Sequence, residues 1–204
     1  LLIHLRKGDE LVTFLIGKDQ RKYLVHKSFA CYYSPVLNAA FTGSFIEGQT
    51  QTYILEDTTP DSFERFVNWL YTQKIEAYKE GENVGIFFRI TAQLYVLAQK
   101  FLIPRLQNCV LDAIENARSV SGYIPTFQIV YAWESTPSES PLRRLLLHYC
   151  SHNLRASRYW EIPEHFPKDM LLDLATLFRD MTQEKKVAGS PDMKDFYVEE
   201  EEGA

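Results

Sequence analysis

Along the first hundred or so residues the apolar positions switch between a strand rhythm of two and a helix rhythm near 3.6. The run LVTFLI at Leu11–Ile16 is β-rich and almost wholly apolar. It lies between Gly8-Asp9 and Gly17-Lys18-Asp19, and predicts a buried strand. Lys22–Val25 follows as a second strand after the turn GKDQR, at a spacing that suits an antiparallel hairpin. From His26 to Tyr33 the rhythm becomes helical, with Phe29, Ala30 and Tyr33 on one stripe. Ser34 then serves as an N-cap, with Pro35 at the first helical position, where a missing N–H costs nothing. Val36, Leu37, Ala40 and Phe41 line that second helix, and Gly43 stops it. Thr50–Leu55 returns to strand. Thr59 and Pro60 then open a helix striped by Phe63, Phe66, Val67 and Leu70, which exits through Tyr71-Thr72.

Lys74–Ala77 reads as one more short strand and Tyr78–Gly85 as a polar, glycine-bearing loop. A long helix is predicted over Ile90–Phe101, and Pro104 opens another lined by Leu106, Cys109, Val110, Ala113 and Ile114. Beyond Asn116 the texture changes. Helical pieces at Pro125–Trp133, Pro141–Asn153 and Lys168–Met181 are separated by the proline-bearing loops STPSESP and WEIPEHFP. No internal repeat is visible. The expected organisation is an α+β domain over residues 1–117, an all-helical extension over 118–182 and a disordered acidic tail over 183–204.

Composition narrows the function. No apolar run approaches a membrane span, and the first ten residues meet charge early and lack a cleavage-site pattern, so neither membrane nor signal peptide is expected. Three cysteines without a Cys-x-x-Cys point to a reducing, intracellular setting, nucleus or cytoplasm. From Ser190 onward, six acids against Lys194 alone account for the whole net charge of −5. A formally neutral body with an acidic end does not attract phosphate backbones, so no nucleic-acid partner is expected.

The residues that carry a family come next. Tyr23, Val25, His26, Lys27, Ser34, Val36 and Leu37 spell Tyr-x-Val-His-Lys followed by an apolar helix and Ser-Pro-Val-Leu. Asp57, Pro60, Phe63, Phe66, Val67, Leu70, Tyr71 and Thr72 form a second motif in the right order. Over about Leu11–Asn116 the chain resembles the BTB/POZ domain, and its texture is similar to that of short BTB proteins of filamentous fungi. The resemblance implies an α+β fold, a small mixed sheet flanked by a helical cluster, here followed by helices. It also implies protein–protein association rather than enzymatic chemistry.

Two uses follow from the resemblance: substrate delivery to a cullin-type ubiquitin ligase, or self-association as a scaffold or transcriptional regulator without a cullin. Cullin-binding relatives carry a hydrophobic-x-Glu triplet between the second helix and the next strand, and Phe45-Ile46-Glu47 stands there. The implied docking groove takes in Phe41, Phe45, Ile46 and Glu47 together with the Asp57–Trp69 face, including Phe63; Val25, His26, Lys27 and Ser34 belong to the fold motif. Dimeric relatives place an Asp before the first strand's Val-Thr and pair it with a base. Lys27 could be that base, but Leu11 occupies the acid's position, so the charged-pocket homodimer stays open.

Other constellations point to structure. His26 and Cys31 are too far round a helix to act as base and nucleophile. His148 and His152 share a helical face from which Cys150 points away, so no metal site is expected. Gly43 and Gly48 have P-loop-like spacing, but Gln49 replaces the phosphate lysine, and no cofactor is expected. Trp160, in a loop with two prolines, is the best candidate for an exposed aromatic.

Overall fold

The computed structural model describes residues 10–183. Three strands, β1 (Leu11–Ile16), β2 (Arg21–His26) and β3 (Thr52–Leu55), form a mixed sheet in the order β2-β1-β3. β1 and β2 are an antiparallel hairpin with Leu11 opposite His26, while β3 lies parallel to β1 with Thr13 opposite Thr52. The parallel pairing requires a crossover. It is made by α1 (Lys27–Tyr33), α2 (Pro35–Thr42) and the short α3 (Ile46–Thr50). After the sheet come α4 (Pro60–Thr72), α5 (Val84–Lys100) and α6 (Pro104–Ser121).

Val12, Phe14 and Ile16 point inward and are buried, as expected of a core strand. The expectation that all of LVTFLI is buried fails: Leu11 is exposed, and Thr13 and Leu15 are only half-buried. Nothing among the described residues covers the sheet's second face, so only alternate side chains find a core. Behind the sheet sits an aromatic cluster. Phe14 meets Phe63 at 5.0 Å, Phe41 at 5.7 Å and Tyr53 at 6.0 Å between ring centroids, and Phe66 meets Phe101 at 5.3 Å.

The caps lie where the sequence places them. Ser34 Oγ accepts from the Leu37 amide at 3.0 Å, and Thr59 caps α4. Pro35, Pro60, Pro104 and Pro141 each open a helix. Two expectations are corrected. Lys74–Ala77 is not a strand. The Lys74 amide donates to Thr72 Oγ1 at 3.2 Å and its carbonyl accepts from the same hydroxyl at 3.3 Å, so the segment is tied to the end of α4 rather than to a ladder. The long helix also begins earlier than Ile90, because Asn83 Oδ1 accepts from the Ile86 amide at 3.0 Å and Phe87 and Phe88 are buried.

The extension comprises α7 (Gln128–Ser135), α8 (Pro141–His152), α9 (Arg158–Glu161), a 3-10 turn at Pro163–His165 and α10 (Lys168–Gln183). The stretch WEIPEHFP, read as loop, therefore holds a short helix and a 3-10 turn. Ile129, Ala132, Leu142, Leu146, Tyr149 and Met170 continue the core of the first half. Polar ties run across the seam: Tyr149 Oη donates to Glu115 Oε2 at 2.6 Å, and Ser140 Oγ donates to Tyr95 Oη at 3.4 Å. Among the described residues no helix is long and apolar enough to cross a membrane. The acidic tail lies outside the described residues.

Candidate functional site

The turn from α2 into α3 puts an aromatic and an aliphatic side chain into solvent. Phe45 and Ile46 are 64% and 63% exposed, at the cap and first position of α3, with Glu47 in the same first turn. Burial of such groups is the default, so two exposed neighbours on one turn need a reason. The backbone supplies it. A Cβ on Gly48 would run into the Gly43 carbonyl, and one on Gly43 would lie 2.5 Å from the Ala39 carbonyl, so the chain can reverse this tightly only with glycine at both places. The apparent P-loop spacing is thus a packing requirement.

Gln51 locks the far side of the turn. Its backbone is left-handed at φ +51°, and its Nε2 donates to the Gly48 carbonyl at 2.6 Å and the Phe41 carbonyl at 3.2 Å. The held conformation leaves Phe45, Ile46 and Glu47 displayed rather than collapsed. Preorganisation of this kind reduces the ordering cost of binding.

The display continues onto the sheet. Ile46, Glu47, Thr50, Thr52 and Ile54 surround a shallow pocket of about 400 Å³. Ile54 is 52% exposed, and Leu24 and Leu11 extend the apolar surface across β2 and β1. Thr13 lies opposite Leu24, and Leu15 lies opposite Ile54 on β3, so these side chains share the sheet's outer face. Ile54 and Leu24 are the residues that sequence reasoning missed. Strict alternation was the available signal, since Tyr53 and Leu55 point inward on either side of Ile54.

The other residues assigned to the groove lie elsewhere. Phe41, Phe63 and Trp69 are buried in the core, where Phe63 packs 5.1 Å from Tyr23 and Trp69 packs 5.2 Å from Tyr33. They hold the surface from beneath and cannot meet a partner directly. The apolar face of α4 that contains them is turned inward because it is the face the sheet needs for its own core. Asp57 lines a different cleft, with Thr59, Gln93, Lys100 and Tyr131.

Each residue of the fold motif has a structural task. Val25 is buried. His26 Nδ1 lies 2.8 Å from Tyr71 Oη, which also accepts from the His26 amide at 3.1 Å. The two sequence motifs therefore meet through one hydroxyl. Lys27 Nζ pairs with Glu10 at 3.4 Å, one residue before Leu11, so an acid does face this lysine. Ser34 Oγ, besides capping α2, donates to the Phe101 carbonyl at 2.7 Å and ties the helical hairpin to α5.

Neither Cys31 nor Cys150 has the surroundings of a nucleophile. Burial pushes the Cys150 thiol up to about 12 and raises that of Cys31 as well, opposite to what a thiolate nucleophile requires. His148 and His152 stack with ring centroids 4.3 Å apart, while Cys150 turns into the core. Among the described residues no group of three His, Cys, Asp or Glu is placed to hold a metal. Trp160 stands 87% exposed on the extension.

Comparison with known proteins gives the same assignment as the two motifs. The BTB domain of zebrafish PATZ1 is similar at a TM-score of 0.39 and 15% identity, covering 51% of this chain and 74% of that one. That likeness is too low to carry weight. The family model described as BTB/POZ domain matches residues 2–117, more than half of the chain. BTB domains are protein–protein interaction modules rather than enzymes, and a mixed sheet under a helical cluster with a displayed apolar turn suits that role. On this match the chain belongs to the BTB/POZ family.

Proposed function

We propose that this protein is an adaptor whose Phe45–Glu47 turn docks the N-terminal domain of a cullin, delivering a bound substrate to a ubiquitin ligase. The observation that carries the reading is the glycine-locked exposure of Phe45 and Ile46 beside Glu47. An aromatic and an aliphatic side chain fill a partner pocket, and the carboxylate next to them sets register. Phe41 supports the turn from below, and the α7–α10 extension supplies further surface. A pull-down with a cullin N-terminal domain tests it. The wild type binds, and Phe45→Ala or Glu47→Ala weakens binding by about tenfold or more, as expected of a central contact. Absence of binding by the wild type overturns the reading.

A second reading has its own observation. The sheet's outer face, with Leu11, Leu24 and Ile54 exposed, supports a self-associating scaffold or transcriptional regulator with no cullin partner. Light scattering after size exclusion separates the two. A strict monomer at high concentration removes the scaffold, and a dimer lost on Leu24→Lys supports it.

A further inference from the structure

A cavity of about 420 Å³ opens between α4 and the segment that follows it, lined by Arg65, Asn68, Thr72, Lys74, Ile75 and Glu76. Arg65, Asn68 and Thr72 stand three and seven residues apart and so share one face of the helix. The Thr72 hydroxyl donates to the Asn68 carbonyl at 2.8 Å and accepts from the Lys74 amide at 3.2 Å, which ties the chain carrying Lys74 to that face. Arg65 is half-buried, and its guanidinium carbon lies 5.2 Å from the centre of the buried Phe87 ring. The ring face attracts the cation and holds it in place. Yet Arg65 Nη1 is buried with no hydrogen-bond partner, and neither Arg65 nor Lys74 is in an ion pair, among the described residues. We propose that this cavity binds a carboxylate side chain on an acidic peptide segment of a partner protein, with Arg65 and Lys74 as its counter-charges.

A shielded guanidinium nitrogen without an acceptor is costly, and a folded protein rarely leaves one without a reason. An oxyanion in the cavity supplies the counter-charge that the described residues do not. Charge selects its class. Two cations against the single carboxylate of Glu76 leave the lining with one net positive charge, which a carboxylate balances and a dianionic phosphate exceeds. Geometry agrees, because the guanidinium fork matches the two oxygens of a carboxylate, while Lys74 adds a point charge. Size assigns the carboxylate to a peptide. The cavity holds far more than a carboxylate, and half-buried Ile75 with the aliphatic stems of Arg65 and Lys74 gives apolar cover for the chain on either side. Glu76 is an acceptor for the backbone amides of such a segment. The inference does not rest on the cullin reading, since no residue of the Phe45–Glu47 turn lines this cavity.

The test is an amide-resolved NMR titration of the full chain with three probes: the capped peptide acetyl-Ala-Asp-Ala-amide, its Asn counterpart and inorganic phosphate. The Asp peptide should shift the Asn68, Thr72 and Lys74 amides saturably, and the Asn peptide should not. No saturable shift, or equal shifts from the two peptides, overturns the proposal. Phosphate binding at the same amides as tightly as the Asp peptide overturns the assignment to a carboxylate. Arg65→Gln should weaken the Asp peptide by about tenfold, the loss of a bidentate charge-assisted contact. Because Arg65 also packs on Phe87, Lys74→Gln at an exposed position is the second variant, expected to weaken binding several-fold with the thermal midpoint unchanged. Glu76→Gln should act in the opposite direction, tightening the Asp peptide and admitting phosphate. Binding unaltered by Arg65→Gln and Lys74→Gln, or weakened by Glu76→Gln, overturns the proposal.

Discussion

The two halves of the molecule are stabilised differently. The BTB half encloses a continuous aromatic cluster, in which Phe14, Phe41, Phe63, Phe66 and Phe101 have no access to water. The extension joins it partly through apolar contact and partly through polar ties, Tyr149 to Glu115 and Ser140 to Tyr95, and is braced internally by Trp133 Nε1 to Asp173 at 3.1 Å and Arg143 to the Trp133 carbonyl at 2.6 Å. Each half displays one apolar feature. In the BTB half a backbone that admits only glycine holds Phe45 and Ile46 out. In the extension Trp160 stands over a groove whose walls include residues that are partly buried. A displayed turn on a rigid core suits recognition by shape, and a groove with exposed apolar walls suits burial of apolar groups.

The largest expected effect is in the core. Phe63→Ala should cost about 3–5 kcal/mol and lower the urea midpoint of the whole chain, whereas Trp160→Ala should leave it unchanged. Equal effects would erase the contrast between core and groove. Next comes Gly48→Ala. The added methyl meets the Gly43 carbonyl, so α3 must shift, and a loss of about 1–3 kcal/mol is expected, read by thermal melting together with faster amide exchange around Phe45.

Ser34→Ala removes both the α2 cap and the bond to the Phe101 carbonyl and should cost about 1–2 kcal/mol, again by denaturant titration. The smallest effect sharpens the seam between the halves. The Arg118 guanidinium, with help from Tyr149, holds the Glu115 carboxyl down from an ordinary 4.5 to about 2, against the opposing effect of burial. A depressed carboxylate contributes stability that is complete above 4.5 and is lost as pH falls through about 2. The contribution is modest because the Glu115 side chain is 47% exposed. Thermal midpoints measured across that window should fall less in Glu115→Gln than in the wild type; identical slopes would show that the Arg118 and Tyr149 contacts of Glu115 add no stability.

Much of the fold was legible along the chain because caps and stripes are local. Ser34-Pro35 and Thr59-Pro60 announced helix starts, and the Phe63–Leu70 stripe announced a buried face. The early start of α5 was missed because Val84–Arg89 precedes the clearest apolar stripe, and Asn83 as a cap outweighed the neighbouring Gly85. For the site, the triplet Phe45-Ile46-Glu47 was legible as a position. Its exposure was not, since that depends on two glycines closing a turn against carbonyls of α2 and of the turn itself.

By itself the sequence determined most of the strands and helices in the BTB half, the identity of most core side chains and the family motifs, all of which depend on neighbours within a few residues, while the short helix Ile46–Thr50 and the unpaired Lys74–Ala77 escaped it. Only the tertiary structure decided which sheet face stays open, that His26 and Tyr71 meet, that Phe63 and Trp69 serve the core rather than a partner, and that Trp160 overlooks a groove. Those outcomes depend on whether some distant part of the chain covers a surface, and periodicity carries no information about distant cover.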